Sequence, residues 1–291
     1  MTDSSGAIDA GHDAAFEFVK GLAFELSAGK IDLPSFPDVA VRVRRALADD
    51  RTTVEQVTRI VGSEPALAAR LMKMSNSAML NRSGKPVSDL KAAIARMGYN
   101  MVRSAAISFA MAQIRASVNL KAVEKPLNEL WTYSTHVAAL CYVVARKQTK
   151  LNADEAFLAG LLHGIGKLYI LSRCDKHPVL FANEEALNQV IRDWHASVGK
   201  AILENWEMSP SLIDAIGDQE DIERTHEGAA DLTDVVICAN MMAAYFDQPA
   251  DLELNMQNVA AFGLLHMDAP TTLATVDECR EEVEALKTAL G

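Results

Sequence analysis

Three histidines, each on its own predicted helix, are the residues of this chain best placed to do chemistry. His136 lies in Trp131-Thr-Tyr-Ser-Thr-His136, His163 ends the apolar run Phe157-Leu-Ala-Gly-Leu-Leu162, and His195 follows Trp194. Divalent-metal hydrolytic sites gather imidazoles and carboxylates from several helices, because the ion needs convergent ligands and an open position for water. Each histidine taken singly is more simply a hydrogen-bonded, part-buried side chain. Only the order and setting of all three argue for a shared pocket. What is missing is hard oxygen. Gly164, directly after His163, has no side chain to ligate anything, and Asn240 offers a neutral amide, a weak ligand. Lys167 could meet a phosphate, although such a lysine more often caps its helix or snorkels to solvent. Neutral imidazoles can hold zinc, so His136, His163 and His195 stay as weak candidates for a structural or adventitious metal, but efficient phosphoester hydrolysis is not expected.

Other chemistries fare worse. There is no Gly-x-Ser-x-Gly elbow, no Walker loop and no Gly-x-Gly-x-x-Gly after a strand. Cys141, Cys174, Cys238 and Cys279 form no CxxC pair. Disulfide frameworks and zinc ribbons are therefore not expected, and a reducing cytoplasm fits.

The elements that must position the histidines all read as helices. Period-two alternation is absent, and turn clusters separate stretches of 3.6-type periodicity. Phe16 to Leu26 predicts an amphipathic helix with Phe16, Val19, Leu22, Ala23 and Leu26 on one side. Leu33-Pro-Ser-Phe-Pro37 forces an extended approach. Thr53 to Gln56 has capping-box spacing, and Pro65 suits a first helical turn. Ser88 can cap a helix that stops at Gly98, and Asn100 the next. Ser117 to Pro126 connects two halves. Leu127 to Gln148 carries His136, Asn152 caps the helix that ends at His163, and Glu184 to Asn205 carries His195. Leu232 to Phe246 is apolar enough to be buried. Met256 to Leu265 and Thr272 to Leu290 predict an acidic helical end. The expected divisions are an extension over 1–30, halves over 31–125 and 126–246, and the acidic C-terminus over 247–291.

Bulk properties bound the class. The chain has 291 residues, 49% hydrophobic and 23% charged, an ordinary globular balance. No apolar run reaches the roughly 18 residues of a membrane span. The polar, acidic start over Met1 to Asp13 lacks the features of a secretory signal. The net charge of −11 is uneven: Val41 to Lys125 holds 15 Lys/Arg against 6 Asp/Glu, the remainder 13 against 33. Such a split usually means two parts that attract or solvate each other. Its sharper meaning is a basic face for a nucleotide, a nucleic acid or an acidic protein, with Arg70, Lys73, Arg96 and Arg103 as the anion-binding candidates. The helix pair Val54–Val61 and Ala66–Ser75 imitates a helix-turn-helix, but Arg70 and Lys73 alone are a thin supply for a recognition helix.

Several segments together resemble the HDOD domain, a bacterial branch related to the HD phosphohydrolases. They are Leu33-Pro-Ser-Phe-Pro-Asp-Val-Ala40, Ser63-Glu-Pro-Ala-Leu-Ala-Ala-Arg-Leu-Met72, Ser75-Asn-Ser-Ala78 and Ala92-Ala-Ile-Ala-Arg-Met-Gly98. Ala159-Gly-Leu-Leu-His163-x-Ile-Gly-Lys-Leu168 and His195-x-x-Val-Gly199 continue the match. Glu64 and Met97 stand where aspartate and leucine are usual. The resemblance runs from about Ile31 to Met242. It implies an all-α, multi-helix HD-like bundle with an additional N-terminal helical subdomain. It also implies a vestigial pocket of His136, His163, Gly164, Lys167, His195 and Asn240, in which Gly164 and Asn240 occupy the places of ligating aspartates. The paired histidines often found in HD relatives near Ile216-Gly-Asp-Gln219 are absent.

Together these features predict a soluble, cytoplasmic, non-catalytic signalling module that binds a protein partner and needs no cofactor. One rival is a nucleotide or nucleic-acid binder using the basic region over 41–125. The other is a residual metal-dependent phosphohydrolase, which would need replacement carboxylates, for example Asp214 or Asp218. The oligomeric state is left open.

Overall fold

The computed structural model describes residues 4–28, 38–49, 51–81, 83–117 and 123–290. Among them every regular element is a helix. The proline-rich approach expected at Leu33–Pro37 lies outside the described residues, as does the middle of the connection expected at Ser117–Pro126.

The first half builds α2 (Asp38–Ala46), α3 (Val54–Gly62), α4 (Pro65–Ser75) and α5 (Leu90–Ser117). Thr53 starts α3 with a reciprocal capping box: its hydroxyl accepts from Gln56 N–H, and the Gln56 side chain accepts from Thr53 N–H. Pro65 opens α4, where its missing N–H costs nothing. One expectation along α5 is corrected. Asp89, not Ser88, caps it, its carboxylate accepting the Ala92 N–H at 2.8 Å; a carboxylate also suits the positive end of the helix dipole. Gly98, by contrast, ends the first run of helix as expected. At φ 74° and ψ 165° it makes a kink, and helical structure resumes beyond it. Only glycine adopts that conformation without strain. α2, α3 and α4 all pack on this bent α5.

The second half builds α6 (Glu124–Gln148), α7 (Ala153–Leu162), α8 (Ile165–Leu171), a 3₁₀ turn at Cys174–Lys176, α9 (Pro178–Phe181), α10 (Glu184–Asn205), α11 (Pro210–Asp218) and α12 (Leu232–Ala244). α6 and α7 meet intimately because Gly160 has no Cβ. One would lie 2.7 Å from Ala138 Cα. Leu140, Phe157, Leu161 and Leu162 fill the seam and are fully buried. Each such side chain contributes about 1.5–3 kcal/mol by leaving water. α5 packs on α7 and joins the halves, α8 lies on α10, and α12 closes over α6, α7 and α11.

Two outer pieces complete the fold. α1 (Ser4–Ser27) docks on α9 and α10. Leu22 is buried and Val19 and Leu26 pack on the core as expected, but the face is rotated: Phe18 is buried, whereas Phe16 is 67% exposed. The tertiary surface under α1 selects Phe18, which packs edge-on against His177. At the other end Met256 instead closes α13 (Pro249–Met256), and only the short α14 (Ala260–Leu264) falls within the helix expected over Met256–Leu265. Pro249 starts α13 in its first turn. α15 (Ala269–Leu290) packs along α6 and touches α4, burying Val276, Cys279 and Val283. Among the described residues no helix is long and apolar enough to cross a membrane.

Candidate functional site

The turn between α7 and α8 brings His163 and Gly164 under α6, beside the middle of α10 and the residues that follow α11. Asn152 starts α7 by accepting from Asp154 N–H and Glu155 N–H, and His163 occupies the opposite end. The side chain of His163 is wholly buried. Its Nδ1 lies 2.7 Å from the Gly160 carbonyl oxygen. A carbonyl only accepts, so Nδ1 carries the proton and Nε2 presents a lone pair. That Nε2 is buried without a hydrogen-bond partner. Burial pushes the pKa of His163 down to about 4; the electrostatic influence of Lys167 and His195 adds to this, against the Gly160 carbonyl and Glu220. The ring stays neutral at physiological pH.

His195 is 2% exposed. Its Nε2 lies 2.9 Å from Glu220 Oε1, while its Nδ1 is buried without a partner. The hydrogen bond from His195 is the largest cause holding the Glu220 carboxyl below its ordinary range, and Lys167 adds electrostatic attraction. Lys167 Nζ stands 4.0 Å from the same Oε1. Gln219, also buried, donates to the His163 carbonyl at 2.8 Å and the Ile216 carbonyl at 3.1 Å, leaving its Oε1 unpartnered. Tyr133 completes the wall. Its ring centroid is 5.6 Å from that of His163, and its hydroxyl donates to Asn240 Oδ1 at 2.7 Å. Burial pushes the Tyr133 hydroxyl well above its ordinary range. Asn240 is thus engaged from α6, through Tyr133.

Gly164 lies beneath α6. A Cβ there would meet Leu130 Cδ1 at 2.7 Å and Ser134 Oγ at 3.1 Å. An aspartate could enter only if the end of the Leu130 side chain shifted. His136, one turn beyond Tyr133 on α6, packs edge-on against Phe246 with centroids 4.3 Å apart.

The structure therefore gathers His163, His195 and Lys167 around Glu220, with Asn240 linked through Tyr133. Glu220, Gln219 and Tyr133 were not foreseen from the sequence. The segment Ile216-Gly-Asp-Gln219 lacks the paired histidines of HD relatives, and the carboxylate follows at its next position. Of the expected replacements, Asp214 pairs with Lys200 at 3.8 Å, and Asp218 is exposed.

A hydrolytic metal centre does not fit this donor set. Among the described residues, the ligand atoms of His136, His163 and His195 do not fall within 4.8 Å of one another. The group that does converge to that degree is His226, Asp231 and Asp234, before and in the first turn of α12. Those carboxylates are already spoken for. Arg224 donates to both, with Nη1 3.0 Å from Asp234 Oδ1, and His226 Nε2 is 2.9 Å from Asp234 Oδ2. Asp231 also caps α12 through Thr233 N–H and Asp234 N–H. This is a compensated ion cluster that anchors a helix start.

The basic residues of the first half serve the fold as well. Arg70 donates to Ser108 Oγ at 3.1 Å. Arg96 ties the Ser75 and Lys85 carbonyls, and Arg103 binds the Leu47 carbonyl at 3.0 Å. Lys73 is exposed.

Comparison with known proteins gives a consistent picture. Residues 33–222 match the family model of the HDOD domain. A "Putative metal-dependent phosphohydrolase" from Shewanella amazonensis SB2B superposes with a TM-score of 0.76 at 25% identity, covering 96% of this chain and 100% of that one. An HDOD domain protein of unknown function from Geobacter sulfurreducens superposes with a TM-score of 0.68 at 21% identity, covering 98% and 99%. A "Putative signal transduction protein" from Marinobacter aquaeolei VT8 has a TM-score of 0.61 at 17% identity, covering 90% of this chain and 60% of its own. No curated protein matches the chain.

Proposed function

The chain belongs to the HDOD family, and on that premise we propose that it is a non-catalytic signal-transduction module that works by binding a protein partner. One observation carries this reading. Glu220, the carboxylate at the imidazole cluster, is engaged by the hydrogen bond from His195 Nε2. An ion at His163 would be left with neutral donors, and the charge balance that hydrolysis requires would be missing. The bulk of α6 over Gly164 supports the same reading, since no carboxylate fits there without moving Leu130. The helical core does not depend on metal ligands, because its apolar seams bury in any case. A scaffold with hydrolase ancestry can therefore persist as a binding module.

The name borne by the Shewanella protein points the other way, toward hydrolysis, and the donor set here argues against carrying it over. The four cysteines are free and buried, which accords with action in the cytoplasm.

Metal analysis of the purified protein, with a phosphodiester and nucleotide panel, tests the proposal. The expected result is no stoichiometric transition metal and no turnover. Stoichiometric manganese or iron, with turnover abolished by His163→Ala, would overturn it. Affinity capture from the native host should then return a signalling protein whose retention survives His163→Ala.

A further inference from the structure

A second site lies between the two halves, away from the imidazole cluster. It is a cleft of about 280 Å³, walled by α2 and α5 on one side and by α7 and the turn before α11 on the other. Arg44 and Arg103 enter from the first half; Asp154, Glu155 and Glu207 enter from the second. A smaller apolar lobe of about 230 Å³ adjoins it at Arg44, lined by Val41, Ile107, Trp206 and Met208.

The charges in this cleft are opposite but not matched to each other. Arg44 donates to the Trp206 carbonyl. Arg103 donates one Nη2 bond to the Leu47 carbonyl, and its Nε is buried with no partner. Glu155 is occupied by the Ser209 and Ser211 hydroxyls at 2.9 and 2.7 Å. Asp154 is held in place by its backbone, through Asn152 Oδ1 at 2.9 Å, and neither guanidinium closes on its carboxylate. Its carboxyl is raised above its ordinary range by burial. A folded protein keeps few charges half-desolvated and unpaired unless something else completes them.

We propose that this cleft binds a small zwitterion, its anionic group on Arg44 and Arg103 and its ammonium on Asp154. Three carboxylates against two guanidiniums make the site poor for a simple anion such as phosphate. A ligand with both charges satisfies both walls at once. The volume suits a small metabolite; it lies near the lower end of ordinary ligand pockets, about 300 Å³ upward. Because the two charges belong to different halves, the ligand clamps α2 and α5 to α7. The inference does not depend on whether the imidazole cluster is catalytic.

Titration calorimetry on the full chain tests it. The probes are phosphoethanolamine and γ-aminobutyrate, with inorganic phosphate and ethanolamine as single-charge controls. At least one zwitterion should bind with a Kd of about 1 mM or tighter, and about tenfold better than either control. Asp154→Asn should abolish that preference without lowering the thermal midpoint, since its carboxylate makes no side-chain bond. Arg44→Gln should weaken the same probe. Failure of both zwitterions to outbind the controls overturns the proposal, and so does equal binding by a folded Asp154→Asn variant.

Discussion

Gly166 on α8 comes so close to His195 on α10 that a Cβ on the glycine would lie 1.9 Å from the His195 carbonyl oxygen. The contact fixes the spacing of two helices at the point where His195 turns toward Glu220. Gly166→Ala must push the helices apart, and overpacking of this kind costs about 1–3 kcal/mol or more. Gly21→Ala is the control. Gly21 is in an exposed helical position with nothing within 4 Å, so alanine there should stabilise by about 0.5–1 kcal/mol. Urea denaturation of both variants checks the pair. Equal stability would remove the close approach as the determinant of helix spacing.

Restoring the missing carboxylate should not restore a metal site. Gly164→Asp places its Cβ against Leu130 and Ser134 and should cost about 1–3 kcal/mol. Leu130→Ala added to it should recover part of that loss, giving a favourable coupling of about 1 kcal/mol in a double-mutant cycle. Strictly additive effects would mean that Leu130 does not guard the position.

Acid should weaken the fold through His163. Its pKa in the folded state is depressed from 6.5 to about 4 by burial. Between those values the unfolded chain binds a proton that the native ring refuses, so stability is fully present above pH 6.5 and falls as the pH drops toward about 4. The effect is on the order of 3 kcal/mol, at about 1.4 kcal/mol for each tenfold change in proton affinity. His163→Leu should flatten this part of the profile. Denaturation midpoints measured between pH 7 and pH 4 would show an unchanged slope if another group were responsible.

The docking of α1 should depend on Glu25. Its carboxylate accepts from Tyr169 Oη and lies 3.1 Å from Arg173 Nη2. The Arg173 side chain is 8% exposed and that of Glu25 32%. Glu25→Ala should therefore cost only about 1–2 kcal/mol, less than the loss of a fully buried pair. Limited proteolysis should then cut within α1 well before the rest of the chain unfolds. An unchanged digestion pattern would show that Phe18 and Leu22 suffice to hold the helix.

The site was legible only in part. His163 and His195 were visible as polar residues in apolar or aromatic settings, and Gly164 and Asn240 as neutral residues beside them. Glu220 was not, because an acidic residue in the run Asp218-Gln-Glu-Asp221 has no local mark that separates it from a solvated turn. Tyr133 was overlooked in favour of His136 one turn away, and the choice between them depends on how α6 is rotated against α7. That rotation is set by Gly160 against Ala138. Similarly, periodicity on α1 pointed to a face with Phe16, and only the surface beneath the helix selected Phe18.

By itself the amino-acid order determined the all-helical class, most helix starts and the poverty of carboxylates next to His163. These follow from interactions within a few residues: capping side chains, prolines in first turns and apolar repeats near 3.6. Tertiary structure alone decided that Glu220 meets His195, that α6 covers Gly164, and that unpaired opposite charges face each other across the cleft between the halves. Such pairings join residues on different helices, and their distances are set by how closely helix backbones approach, which no local pattern encodes.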